Sequence, residues 1–85
     1  MNTVIIYTTK YCPFCIRAKH LLKQKKADYQ EIAVDQNIKL RQEMMQKCGR
    51  HTVPQIWINQ QHIGGCDELH QLEREGKLDT LLAKK

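Results

Sequence analysis

Cys12-Pro13-Phe14-Cys15 is the stretch of this chain best suited to covalent chemistry. Two thiols separated by two residues can close a disulfide or share one metal ion. What flanks them decides between these uses. The β-branched run Thr3 to Thr8 (TVIIYT) precedes the pair, and an amphipathic stretch from Pro13 to about Lys26 follows it. The first reads as a strand buried on both faces and the second as a helix. Proline suits the first helical position, where its missing N–H costs nothing. Cys12 then falls at the N-cap, facing the unpaired N–H groups and partial positive charge of the first turn. Such a setting favours the thiolate, which is the reactive form of cysteine. Lys10 adds a positive charge two residues upstream. Cys12 is therefore the expected nucleophile, and Cys15, one turn further in and more buried, the expected resolving thiol.

A metal site is the competing reading. Cys48-Gly49-Arg50-His51 is a second pair with a two-residue gap, so Cys12, Cys15, Cys48 and His51 could form a Cys3His zinc set. The gap between the pairs is longer than common zinc-ribbon spacings. A strong helix, rather than a glycine-containing knuckle, follows Cys15. Redox use is thus favoured, and no metal is expected. Cys48 fits the inward face of a second helix as a buried, inert thiol. His20, His62 and His70 have no partner at ligand spacing and read as surface or satisfied histidines. Trp57, Met44 and Met45 read as core.

The elements that must position the thiols follow from periodicity and punctuation. Tyr29 to Val34 is a second strand. Asp35 or Asn37 can cap a helix in which Leu40, Met44, Met45 and Cys48 recur on one side, with Gly49 as its stop. Pro54 to Asn59 is a third strand, and Asn59-Gln60-Gln61 turns into a short fourth strand at His62-Ile63. Gly64-Gly65 ends it. Cys66 to Glu75 is helical, Gly76 interrupts, and Leu78, Leu81 and Leu82 face the core from a last turn or two. The order β-α-β-α-β-β-α is an α/β fold. Its first βαβ unit should be parallel and right-handed, and its hairpin antiparallel, giving a four-stranded mixed sheet flanked by helices.

With 85 residues the chain has room for one domain, spanning 1–85. Hydrophobic residues at 41% and charged residues at 27% exclude a disordered composition. No apolar run approaches the ~20 residues of a membrane span. Val4-Ile5-Ile6-Tyr7 is too short for the core of a secretory signal, so a cytoplasmic location is expected. Fourteen Lys and Arg against nine Asp and Glu give a formal charge of +5. That balance favours anionic partners, but scarce aromatics and the lack of a dense basic block argue against nucleic acid. Lys84-Lys85 reads as a solvated tail.

Three segments together carry a family resemblance: Lys10-Tyr11-Cys12-Pro13-Phe14-Cys15, Thr52-Val53-Pro54-Gln55 and Gly64-Gly65-Cys66-Asp67. In this order and at these separations they resemble the glutaredoxin family over nearly the whole chain, in its dithiol form. Chain length, Gly49-Arg50 and Ile63 look closest to its bacterial glutaredoxin 3 type. The resemblance implies a thioredoxin fold with sheet order 2-1-3-4, and glutathione as co-substrate with no tightly bound cofactor. It implies a cis Val53-Pro54 bond and glutathione contacts at Lys10, Phe14, Thr52, Val53, Pro54, Gly65, Cys66 and Asp67. It further implies a monomer acting on oxidised or glutathionylated client proteins. Cys12 alone would serve protein–glutathione mixed disulfides, and Cys12 with Cys15 protein disulfides. The alternative within the family is a glutathione-assisted iron–sulfur cluster module, which the second cysteine and Pro13 disfavour. Phe14 stands where the family most often has Tyr. Glu68 stands where Asp is frequent, a change expected to matter little.

Overall fold

The computed structural model describes residues 3–83. The Lys84-Lys85 tail lies outside the described residues. The elements run β1 (Val4–Thr8), α1 (Pro13–Gln24), β2 (Gln30–Ala33), α2 (Ile38–Cys48), β3 (Gln55–Ile58), β4 (Gln61–Gly64), α3 (Cys66–Arg74) and α4 (Leu78–Ala83). They form one mixed sheet in the order β2-β1-β3-β4. β1 pairs with β2 in parallel and with β3 antiparallel, and β3 and β4 form an antiparallel hairpin. This is the thioredoxin fold expected from the sequence. It has one more helix than the expected order, because the turn after Gly76 continues as α4. Among the described residues, no helix is long and apolar enough to cross a membrane.

Alternation along β1 divides the interior into two layers, as a pleated strand requires. Val4 and Ile6 pack with Ala18, Leu21 and Leu22 of α1, Ile56 and Ile58 of β3, and Cys66, Leu69 and Leu78. Tyr7 points the other way, into a smaller cluster with Val34 and Met44 that Ile5, Leu40, Cys48, Val53 and Trp57 partly cover. α2 therefore seals its side of the sheet more thinly than α1 and α3 seal theirs.

Two details of α2 differ from the expected core. Met44 is fully buried, but Met45 is 41% exposed. At 3.6 residues per turn Met45 is rotated about 100° from Met44, off the stripe of Leu40, Met44 and Cys48. Cys48 is half-buried rather than enclosed. Its sulfur, just ahead of the left-handed Gly49 cap, accepts from the Arg50 N–H at 3.4 Å and donates to the Arg50 carbonyl at 3.3 Å. At the hairpin, Asn59 and Gln60 both have positive φ, and Ile58 pairs with Gln61. That is a two-residue turn whose twist matches the strands. It starts β4 at Gln61, one residue earlier than expected.

Candidate functional site

The Cys12-Pro13-Phe14-Cys15 segment lies where β1 hands over to α1. Cys12 is the N-cap of α1, extended at φ −104° and ψ 111°, with Pro13 opening the helix. Its sulfur accepts the Cys15 N–H at 3.4 Å. It thus fills one of the vacant donor sites of the first turn. No acidic residue occupies that turn. Cys15 faces inward and is 1% exposed. Burial above all pushes its thiol up to about 12; the Thr9 backbone hydrogen bond opposes it, and the hydrogen bond and charge of the neighbouring Cys12 add to it. The two sulfurs are therefore unequal. The capped one meets solvent and the buried one stays protonated at neutral pH.

Cys12 also points across the fold. Its sulfur lies 3.8 Å from the Val53 carbonyl, a residue 41 positions away. The Val53–Pro54 bond is cis. Beyond Val53 opens a cleft of about 270 Å³ lined by Phe14, Arg50, Thr52, Val53, Pro54, Gln55, Gly65, Cys66, Asp67 and Glu68. Phe14 stands at its edge, 52% exposed. Gly65 caps α3, and a Cβ there would come within 3.2 Å of the Pro54 carbonyl. Glycine thus permits the close approach of the two loops. Cys66 is buried at the first position of α3, and burial is the main cause that pushes its thiol up. Its sulfur lies 3.4 Å from His70 Nδ1. Asp67 is exposed in the first turn of α3.

Seven of the eight residues expected around the nucleophile thus line one cleft. Lys10 does not line it. It is exposed, with its ammonium 5.5 Å over the Tyr11 ring and its N–H donating to Asp35 at 3.2 Å. Three lining residues were not among those expected: Arg50, Gln55 and Glu68. Of these, Glu68 is the most closely tied to the start of α3. Its carboxylate accepts the Gly65 N–H at 2.9 Å and the Arg50 guanidinium at 2.6 Å. The Gly65 N–H, then the Arg50 guanidinium, hold it below the usual carboxylate range. A carboxylate three residues after the N-cap is half of a capping box. That spacing from Gly65 is the signal that could have revealed it.

Cys12, Cys15, Cys48 and His51 are not gathered as a zinc set. Among the described residues, no three His, Cys, Asp or Glu side chains come together as a metal site. Two of the three histidines without ligand spacing find other partners. His62 meets Gln55 at 2.8 Å, and His70 Nδ1 meets the Cys66 carbonyl at 2.9 Å.

Comparison with known proteins agrees with this geometry. The family model described as Glutaredoxin matches residues 4–63. The chain belongs to the glutaredoxin family. A glutaredoxin of Pseudomonas aeruginosa is 60% identical over 83 residues, covering 98% of this chain and 99% of the relative. Glutaredoxin 3 of Escherichia coli K12 is 52% identical over 82 residues, covering 96% of this chain and 99% of the relative. The solution structure of a Brucella melitensis glutaredoxin has a TM-score of 0.84 at 54% identity, covering 94% of this chain and 87% of that one. The crystal structure of a buckwheat glutaredoxin–glutathione complex has a TM-score of 0.88 at 37% identity, covering 95% of this chain and 76% of that one. The resemblance to bacterial glutaredoxin 3 stands. As a glutaredoxin, the chain is a glutathione-dependent thiol–disulfide oxidoreductase.

Proposed function

We propose that Cys12 is the nucleophile of this glutaredoxin, Cys15 its resolving thiol, and the cleft beside Val53 the seat of glutathione. The Cys12 sulfur carries the reading: it is capped by the Cys15 N–H and lies 3.8 Å from the Val53 carbonyl on the cleft. The glutathione complex of the buckwheat relative supports the choice of ligand. Glutathione is a net anion, which a protein of formal charge +5 attracts. The Val53 N–H and C=O pair with its cysteine as a strand edge would. The N–H groups of Cys66 and Asp67 at the start of α3 hold its γ-glutamyl carboxylate, and the Asp67 carboxylate takes its ammonium. Phe14 packs on the ligand, Thr52 and Pro54 shape the wall, and Gly65 leaves room. Lys10 reaches for the glycine carboxylate from outside the cleft.

For a protein–glutathione mixed disulfide, the Cys12 thiolate attacks the glutathione sulfur. The protein thiolate leaves and takes a proton. A second glutathione thiolate attacks the sulfur now bound to Cys12, releasing glutathione disulfide and restoring the Cys12 thiolate. Two glutathione units end oxidised to one disulfide, and one client thiol is recovered. For a protein disulfide, Cys12 forms a mixed disulfide with the client and Cys15 displaces it, leaving a Cys12–Cys15 bond. Two glutathiones then reduce that bond, which glutaredoxin potentials of roughly −200 to −230 mV allow. The Cys12 charge that helps hold Cys15 protonated vanishes once Cys12 is in a disulfide. Burial, the larger cause, remains, so this change only eases deprotonation of the resolving thiol at the step that needs it. The working state is a monomer of one domain, residues 1–85, in the cytoplasm. It acts on oxidised or glutathionylated clients and keeps no tightly bound cofactor.

The test is a pair of substitutions assayed with glutathione, glutathione reductase and NADPH. Cys12→Ser removes turnover of both a glutathionylated peptide and a protein disulfide. Cys15→Ser keeps the first and loses most of the second. Equal loss of both in Cys15→Ser would overturn the assignment of roles. An amide NMR titration with glutathione should move Val53, Cys66 and Asp67, and unmoved signals there would remove the cleft from the reading. Faster reduction by thioredoxin reductase than by glutathione would count against the glutathione coupling.

A further inference from the structure

Gln55 opens β3 and is 0% exposed, a rare place for a side-chain amide. Its Nε2 donates to the Thr52 backbone carbonyl at 3.0 Å and to Thr52 Oγ1 at 3.4 Å. A carbonyl oxygen can only accept, so the amide has one orientation, with Oε1 on the far side. There Oε1 meets His62 Nε2 at 2.8 Å. Oε1 also only accepts, so His62 carries its proton on Nε2. The Trp57 indole packs on the imidazole at a centroid distance of 4.8 Å, and the two residues pair across the β3–β4 register. A directed chain of hydrogen bonds thus runs from His62 through Gln55 to Thr52. It ends one residue before Val53, whose carbonyl faces the Cys12 sulfur.

We propose that His62, in β4 and outside the cleft, is a positioning residue: through Gln55 it holds Thr52 and so aims the Val53 N–H and C=O at the cysteine of bound glutathione. This rests on the reading that the Thr52–Pro54 loop binds glutathione. Without the His62 donor, Gln55 Oε1 is a buried acceptor with no protein partner. Such a group is costly, and the amide turns to find one, releasing the Thr52 carbonyl. The loop then samples orientations that glutathione must pay to select. The Cys12 cap is built separately, from the Cys15 N–H within α1. Loss of the chain therefore weakens binding and leaves the reactivity of bound substrate nearly intact. A core role would need only a flat ring against Trp57. The positioning role needs the donor.

Three variants separate these roles in steady-state turnover of a glutathionylated peptide. His62→Phe keeps a ring on Trp57 and removes the donor. Its KM for the glutathionylated substrate should rise roughly threefold to tenfold, the scale of one net hydrogen bond, with kcat within about twofold. His62→Gln restores an N–H donor and should return KM most of the way. Adding His62→Phe to Gln55→Leu should cause little further rise, because the chain is already cut. An unchanged KM in His62→Phe, a fall in kcat that tracks melting temperature, or fully multiplicative effects in the double variant would each overturn the proposal. Should His62→Phe not fold, the wild type still decides, since imidazole ¹⁵N shifts must show the Nε2–H tautomer and a proton on Nδ1 alone would overturn it. Failure of Val53 to respond to glutathione in the wild type would sink the cleft reading instead, leaving the tautomer as found.

Discussion

Removing the Glu68 carboxylate tests how far the cleft depends on the start of α3. Glu68→Ala strips the Gly65 N–H of its acceptor and Arg50 of its ion-pair partner. The capping hydrogen bond is half-buried, and losing such a bond costs about 1 kcal/mol. The ion pair is open to water on both sides and adds little. For a chain of this size about 1 kcal/mol lowers the melting midpoint by roughly 4–8 °C. Glu68→Gln retains an acceptor oxygen for Gly65 and loses only the charge, so it should fall between wild type and Glu68→Ala. The pH dependence follows from the Gly65 N–H and Arg50 holding the Glu68 carboxyl below its usual value of 4.5. A carboxyl lowered on folding contributes stability above the unfolded value and loses it as pH falls through the folded one. The gap between wild type and Glu68→Gln should be flat from pH 7 to about 5 and shrink below 4.5. Thermal unfolding followed by circular dichroism over that range reads it directly. A gap that persists undiminished at pH 3, or a Glu68→Ala variant as stable as wild type, would refute the reasoning.

Met44→Ala empties a fully buried site under the sheet and should cost about 2–5 kcal/mol in urea unfolding, whereas Met45→Ala should stay within about 0.5 kcal/mol. Equal effects would contradict the layer that α2 forms. Gly64 has φ +119°, and a Cβ there would strike the Glu68 carboxylate. Gly64→Ala should therefore destabilise by more than about 1 kcal/mol, measured the same way, and an unchanged midpoint would contradict it. His62 is held below its usual 6.5 by burial and then by the Arg50 charge, with Glu68 opposing. The unfolded chain thus binds a proton there first. Wild type should lose stability relative to His62→Gln as pH falls from about 7.5 through 6.5, and a difference independent of pH would contradict this.

Local patterns made the frame legible. Pro13 after a β-branched run placed Cys12 at a helix start, and α2 is bracketed by the Asn37 side chain and the left-handed Gly49 backbone, both acting within four residues. The adjacent methionines of α2 misled because hydrophobicity alone does not say which of two neighbours lies on the stripe. The lining of the cleft was harder to read. Arg50 and Glu68 are 18 residues apart, and Gln55 and His62 sit on different strands. Their pairing exists only once the hairpin and α3 have folded against the Thr52 loop. Lys10, close to Cys12 in the chain, turned out to lie beside Tyr11 rather than in the cleft. Proximity along the backbone constrains a long flexible ammonium only loosely.

The separation of 41 residues between the Cys12 sulfur and the Val53 carbonyl has a consequence for the newborn enzyme. Synthesis delivers both thiols of the CPFC segment well before the Thr52 loop and α3 leave the ribosome. The cap on Cys12 is local and can form with the first turn of α1. Molecular discrimination waits for the later half. On the roles proposed above, a nascent chain therefore carries the Cys12 thiol before it carries the cleft that chooses its targets, and the docking of α3 is the moment at which a generic thiol becomes a selective one.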